Sequence, residues 1–203
     1  MTEGCIKFNC NWEQSVAQIP EAIYNQLETA RSALYRLGLI GMYPDGIGFG
    51  NISVRLGGGL SFVITGSATG QFAQLKPEHY ALVREFSFSD NSISCIGQTK
   101  ASAESLSHAA VYESCPDVGA VVHVHSLYLW EKLLDRFPTT SSGIEYGTPE
   151  MAFAIAGLAS EINGRAGKVI VMGGHREGIL AFGSTLSEAT EEIIKMHNQY
   201  KND

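Results

Sequence analysis

A valine-rich run, VGAVVHVH at 118–125, is entered through the turn residues Pro116 and Asp117 and limits what this chain can form. Valine branches at Cβ and favours strands. Successive strand side chains alternate between faces. The run therefore predicts a strand with His123 and His125 on one face and Val122 and Val124 on the other. At the usual rise the two imidazoles stand about 6–7 Å apart along the strand. Neutral imidazole nitrogens are good ligands for zinc and similar ions, and a catalytic site takes about three protein ligands and keeps one position open. Two ordinary strand histidines give the same pattern, so the neighbouring residues decide.

Two segments supply neighbours. Ser102 is placed to cap a helix running to about Glu113, with Glu104 and Ser105 early in it. Only a turn and a short strand separate that helix from the histidine pair. His108 lies one turn after Glu104 on the same helical face, placed either to support Glu104 or to stand at the surface. Downstream, Gly173-Gly174-His175-Arg176-Glu177-Gly178 forms a glycine-flanked turn after a buried strand, and glycine lets a side chain there point inward. His79 and His197 lie in polar helical contexts and are expected at the surface.

Elsewhere Ile23, Leu27, Ala30, Leu34 and Leu37 recur at helical spacing over residues 20–39, closed by Gly38 and Gly41. Residues 49–56 and 60–65 have strand character, with Gly57–Gly59 as a hairpin turn. A short helical stretch opens at Pro77, and residues 91–95 suggest another strand. A helix is expected over 127–134. Thr148-Pro149-Glu150 starts another, reaching about Ile162, and Ser184 or Thr185 starts the last. Strands are expected at 168–172 and 178–182. Hairpins come first and helices are interspersed later. The predicted fold is α/β, a mostly antiparallel central sheet flanked by helices, with residues 1–203 as one domain.

Composition narrows the partners. The net charge is −7 and no Lys/Arg cluster occurs, which argues against nucleic acid. Charged residues are 17 % of the chain, against about 25 % in typical soluble domains. That shortage suggests surface hidden between subunits of a homo-oligomer. Cys5, Cys10, Cys95 and Cys115 form no C-x-x-C pair and read as reduced thiols of a cytoplasmic protein. Residues 1–13 lack the apolar core of a signal peptide. No apolar stretch approaches the length of a membrane span.

Four motifs, ARSALYRLGLIG…GFGNISVRL, FVITGSATG, ASAESLSHAAVYESCPDVGAVVHVHS and VIVMGGHREGILAFGSTLSEA, occur in order across roughly residues 30–194. Together they resemble the class II aldolase/adducin family. The resemblance implies an antiparallel sheet between two helix layers (α/β/α), and a homotetramer with active sites at subunit interfaces. It implies that His123, His125 and a later histidine hold a divalent ion, Zn2+ first, with Fe2+ or Mn2+ as substitutes, and that Glu104 is the acid/base. Gly50, Asn51, Thr65, Gly66 and Ser102 would hold the phosphate or polar end of a small-molecule substrate, and glycine-bracketed amides and hydroxyls suit an anion. The implied activity is a metal-dependent lyase of the aldolase type. It would cleave or form a C–C bond of a small, sugar-like hydroxy-ketone through a metal-stabilised enediolate. Dehydratases, epimerases and decarboxylases share the scaffold. A non-catalytic adducin-like module is the rival, and that branch lacks the metal ligands.

This chain departs from the family pattern in two places. Ala103 stands where a second serine is usual. Arg176 and Glu177 intervene between His175 and the strand opening at Gly178, so Glu177 competes with His175 as third ligand. A His-His-Glu set suits iron or manganese, whereas His175 completes the zinc type and is the assignment preferred. Tyr146 is a candidate second proton donor or a packing residue.

Overall fold

The computed structural model describes residues 5–165 and 167–201. The elements in chain order are β1 (Asn9–Gln14), α1 (Glu21–Arg36), β2 (Gly41–Met42), β3 (Gly48–Phe49), β4 (Asn51–Arg55), β5 (Phe62–Thr65), β6 (Tyr80–Ser87) and β7 (Ser92–Gly97). After these come α2 (Ser105–Ser114), β8 (Ala120–His125), α3 (Leu127–Leu133), α4 (Pro149–Ile162), β9 (Val169–Val171), β10 (Gly178–Gly183) and α5 (Leu186–Tyr200). Among the described residues an eight-stranded sheet runs β1-β7-β6-β5-β4-β8-β10-β9, and β2 pairs with β3 in a two-stranded sheet. Every neighbouring pair in the large sheet is antiparallel except β1 with β7.

Strand alternation divides the interior into two apolar layers. One face of the sheet (Phe62, Ile64, Val121, Leu180, Phe182) packs on Leu106, Ala109 and Ala110 of α2 and Met151, Ile155 and Ala159 of α4. The other face (Ile52, Val122, Val124, Ile179, Ala181) packs on Leu27 and Leu34 of α1, Leu129 of α3 and Ala189 and Ile193 of α5. The expected α/β/α arrangement is therefore the one observed. Thr148 and Thr185 cap α4 and α5 as their sequences suggest, each hydroxyl accepting a backbone N–H in the first turn.

One sequence expectation changes and two strands are added to those expected. The run 49–56 is two strands, because Gly50 takes φ +72° and breaks it; any Cβ there would stand 2.7 Å from Ile40 Cγ1. Asn9–Gln14 carries little apolar signal, yet it is the edge strand β1, paired in parallel with β7. Tyr80–Ser87, also unmarked by the pattern reading, is β6.

Candidate metal centre

Strand β8 ends in the histidine pair, and its neighbours fix what surrounds it. Asn51 of β4 and Leu180 of β10 flank His123, and Gly178 of β10 lies opposite His125. The chain leaves β9 through a tight turn closed by hydrogen bonds from His175 N to Met172 O (3.0 Å) and from Gly178 N to His175 O (2.9 Å). That turn folds His175 back over the end of β8. Gly174 permits the approach, since a Cβ there would collide with the Ile144 carbonyl.

The three imidazoles of His123, His125 and His175 are all buried and each offers a nitrogen within 4.8 Å of the others. His123 Nε2 and His125 Nε2 are 3.0 Å apart. Two ligands on one tetrahedral zinc, at about 2.0–2.1 Å from the ion, stand about 3.3 Å from each other, so this spacing fits a shared cation. His123 Nδ1 lies 3.2 Å from the Ile179 carbonyl oxygen. A carbonyl only accepts, so Nδ1 carries the hydrogen and Nε2 presents its lone pair to the centre. Burial first, then the neighbouring imidazoles, holds His123 and His125 well below the usual histidine range. Both are neutral, the form that binds metal. The donor set and its protonation therefore suit a divalent ion.

Glu104 occupies the N-cap position of α2 and is buried. Its Oε1 stands 3.9 Å from His175 Nδ1, and Ser107 Oγ donates to its Oε2 at 2.6 Å. Ser102, expected as the cap itself, lies two residues earlier, and its hydroxyl accepts from Glu104 N at 3.4 Å. Tyr146 stacks on His175 with ring centroids 4.4 Å apart. The Lys7 ammonium lies 3.4 Å from the centre of the Tyr146 ring.

A cleft opens beside these groups, lined by Gly50, Asn51, Gly66, Ser102, Glu104, His123, His125, Tyr146 and His175, and by the loop of Ser67, Ala68, Thr69 and Gly70. Of the substrate-contacting residues expected from sequence, Thr65 is not in this lining, and its hydroxyl accepts from the Ile52 amide at 3.2 Å. Gly66 lines the cleft, but its amide is committed to the His79 carbonyl at 2.8 Å. Asn51 Oδ1 is buried with no hydrogen-bond partner among the described residues, an acceptor available to a ligand. Arg31, which sequence reasoning did not single out, is buried under the loop and donates to Thr69 O and Ala73 O, each at 3.3 Å.

Glu177, the competing third ligand, is outside the imidazole cluster; its Oε2 accepts from Tyr43 Oη at 2.7 Å. Tyr43 Oη also lies 2.9 Å from His125 Nδ1. His108 is neither a surface residue nor a contact of the Glu104 carboxylate. It is wholly buried against Ser53 Oγ (2.7 Å), which also meets Tyr112 Oη (2.7 Å). His197 is likewise buried, with Nδ1 on the Tyr128 hydroxyl, contrary to its polar surroundings in the sequence. His79 is half-buried and stacks on Phe72 at 4.6 Å.

Residues 32–201 match the model of the Class II Aldolase and Adducin N-terminal domain. The chain is 31 % identical over 171 residues to the 3-oxo-tetronate 4-phosphate decarboxylase of Haemophilus influenzae, covering 76 % of this chain and 76 % of that protein. L-fuculose-1-phosphate aldolase of Thermus thermophilus superposes with a TM-score of 0.65 at 23 % identity, covering 90 % of this chain and 92 % of that one. YgbL of Klebsiella pneumoniae gives 0.66 at 21 %, with 89 % and 87 % covered. The two solved structures speak to the fold. The chain belongs to the class II aldolase and adducin N-terminal domain family. Among the described residues no helix is long and apolar enough to cross a membrane.

Proposed function

We propose that the protein is a metal-dependent lyase acting on the bond between the α and β carbons next to the carbonyl group of a small, sugar-like hydroxy-ketone. The observation that carries this reading is the convergence of three buried imidazoles with Glu104 at the wall of one cleft. His123, His125 and His175 would hold the ion, zinc being the best match for three imidazoles. When bound, it supplies Lewis-acid stabilisation of the negative charge that grows on the substrate's carbonyl oxygen.

The remaining work falls to the chain's own residues. In aldol cleavage Glu104 takes the proton from the hydroxyl of the departing carbon, that C–C bond breaks, and an aldehyde leaves. Glu104 then returns the proton to the carbon of the enediolate. Ser107 holds one carboxylate oxygen, and the other stands 3.9 Å from His175 Nδ1. Asn51 Oδ1 would accept from a substrate hydroxyl, and Ser102 and the 67–70 loop would bind the substrate's polar or phosphorylated end. Tyr146 serves as packing for His175 rather than as an assigned proton donor. The low charge content and the family resemblance support a homotetramer, and the cysteine spacing, which forms no C-x-x-C pair, supports a cytoplasmic setting.

The Haemophilus influenzae relative favours a second reading, decarboxylation of a 3-oxo acid. There the bond to the carboxylate breaks, CO2 leaves with no base required, and Glu104 acts only as the acid that protonates the resulting enolate carbon. Incubating the zinc-loaded protein with 3-oxo-tetronate 4-phosphate and with L-fuculose 1-phosphate, and following CO2 and aldehyde release, separates the two readings. Turnover of either without added or resident metal, or turnover undiminished in Glu104→Gln, would overturn the mechanism.

A further inference from the structure

We infer that Glu177 and Tyr43 form a relay that fixes the orientation and tautomer of His125, making Glu177 a positioning residue of the metal centre. The inference deepens the metal reading above and rests on it for its affinity measurement. The hydrogen-bond chain itself carries the argument. Tyr43 Oη has one hydrogen, and it is donated to Glu177 Oε2 at 2.7 Å, a carboxylate oxygen that only accepts. The phenol oxygen then faces His125 Nδ1 at 2.9 Å with a lone pair, so Nδ1 must supply the hydrogen. That leaves the lone pair of His125 Nε2 directed at His123 Nε2, 3.0 Å away. His123 is held in the same tautomer by the Ile179 carbonyl. One ligand is set by a backbone carbonyl, the other by a carboxylate acting through a phenol.

The backbone at Glu177 shows the same commitment. Glu177 takes φ +74°, a left-handed conformation that glycine adopts without strain and glutamate does not. The next residue is Gly178, and Ser126, adjacent to His125, donates its amide to the Glu177 carbonyl at 3.0 Å. The Phe49 ring stacks on His125 at 5.6 Å and lies 4.4 Å from the Tyr43 ring, so the relay is packed as well as hydrogen-bonded. A carboxylate at the far end of such a relay makes the imidazole a stronger donor to a cation, and losing partners of this kind typically weakens metal affinity about 10–100-fold. The two residues inserted before β10 thus acquire a purpose. His175 enters the cluster, while Glu177 supports the opposite ligand from outside it.

The test uses the full chain, with zinc affinity read by competition against a chelator and the His125 tautomer read by nitrogen NMR of the metal-free protein. Glu177→Gln and Tyr43→Phe are each expected to weaken zinc about 10–100-fold with melting temperatures unchanged. The double variant is expected to match the weaker single, because both interrupt one chain. The wild type should show His125 protonated at Nδ1, and Tyr43→Phe should lose that preference. Wild-type zinc affinity in Glu177→Gln together with an unchanged tautomer in Tyr43→Phe overturns the inference. A wild-type chain that binds no zinc overturns the metal reading alone, and the tautomer then decides the relay.

Discussion

Glu104 Oε1 stands 3.9 Å from His175 Nδ1, the carboxyl arriving from the start of α2 and the imidazole from the turn between β9 and β10, both almost wholly shielded from solvent. A carboxylate so placed can move a proton beside the centre without being one of its three imidazoles. Glu104→Gln keeps the shape and removes the proton acceptor. Its turnover on whichever substrate is identified is expected to fall about 10²–10⁴-fold, with zinc content unchanged. Full turnover would remove Glu104 from the mechanism.

Ser107 tests how tightly that carboxylate must be held. Its hydroxyl donates to Glu104 Oε2 at 2.6 Å inside the fold, and a hydrogen bond to a charged group contributes about 1.5–3 kcal/mol. Ser107→Ala is expected to lower kcat about tenfold or more with KM little changed. Steady-state kinetics giving the opposite split would place Ser107 in substrate binding instead.

The histidine pair was legible in the sequence because strand alternation is local: period two puts His123 and His125 on one face whatever the rest of the chain does. The helix starts at Thr148 and Thr185 were legible for the same reason. What depends on distant parts of the chain was not. His197 sits among polar residues in sequence yet is buried, with Tyr128 of α3 as its partner. Strand β1 is a polar edge strand whose partner, β7, lies far along the chain. Tyr43 gave no signal, since its role arises only when the β2–β3 turn meets Glu177. The choice between His175 and Glu177 likewise depended on a turn geometry that spacing leaves open.

The glycine flank of His175 is a steric requirement. Adding a Cβ at Gly174 drives it into the Ile144 carbonyl, so the turn or the 141–146 segment must move. Overpacking of this kind costs about 1–3 kcal/mol. Gly174→Ala is expected to lower the unfolding midpoint and to weaken zinc together, read by urea denaturation and chelator competition. Loss of stability with intact zinc affinity would show that His175 is positioned independently of this turn.

His108 gives the fold an acid sensitivity. Burial pushes its pKa down from 6.5 to about 3. In the unfolded chain the imidazole takes a proton below about pH 6.5 that the folded protein refuses. Stability therefore rises with pH across this window, and acid removes it progressively until about pH 3. His108→Gln is expected to flatten the dependence by up to one proton, about 1.4 kcal/mol per pH unit, in urea titrations between pH 6 and 4 (about the middle of that window). An identical slope in the two proteins would contradict the buried, neutral assignment.

Zinc stoichiometry, by elemental analysis after dialysis against buffered zinc, decides whether His123, His125 and His175 form a metal centre. The expected result is one ion per chain in the wild type and loss of that ion in His123→Ala at the same free zinc. A wild-type chain that stays metal-free and shows no affinity for zinc, iron or manganese would contradict the account and point to an adducin-like interaction module.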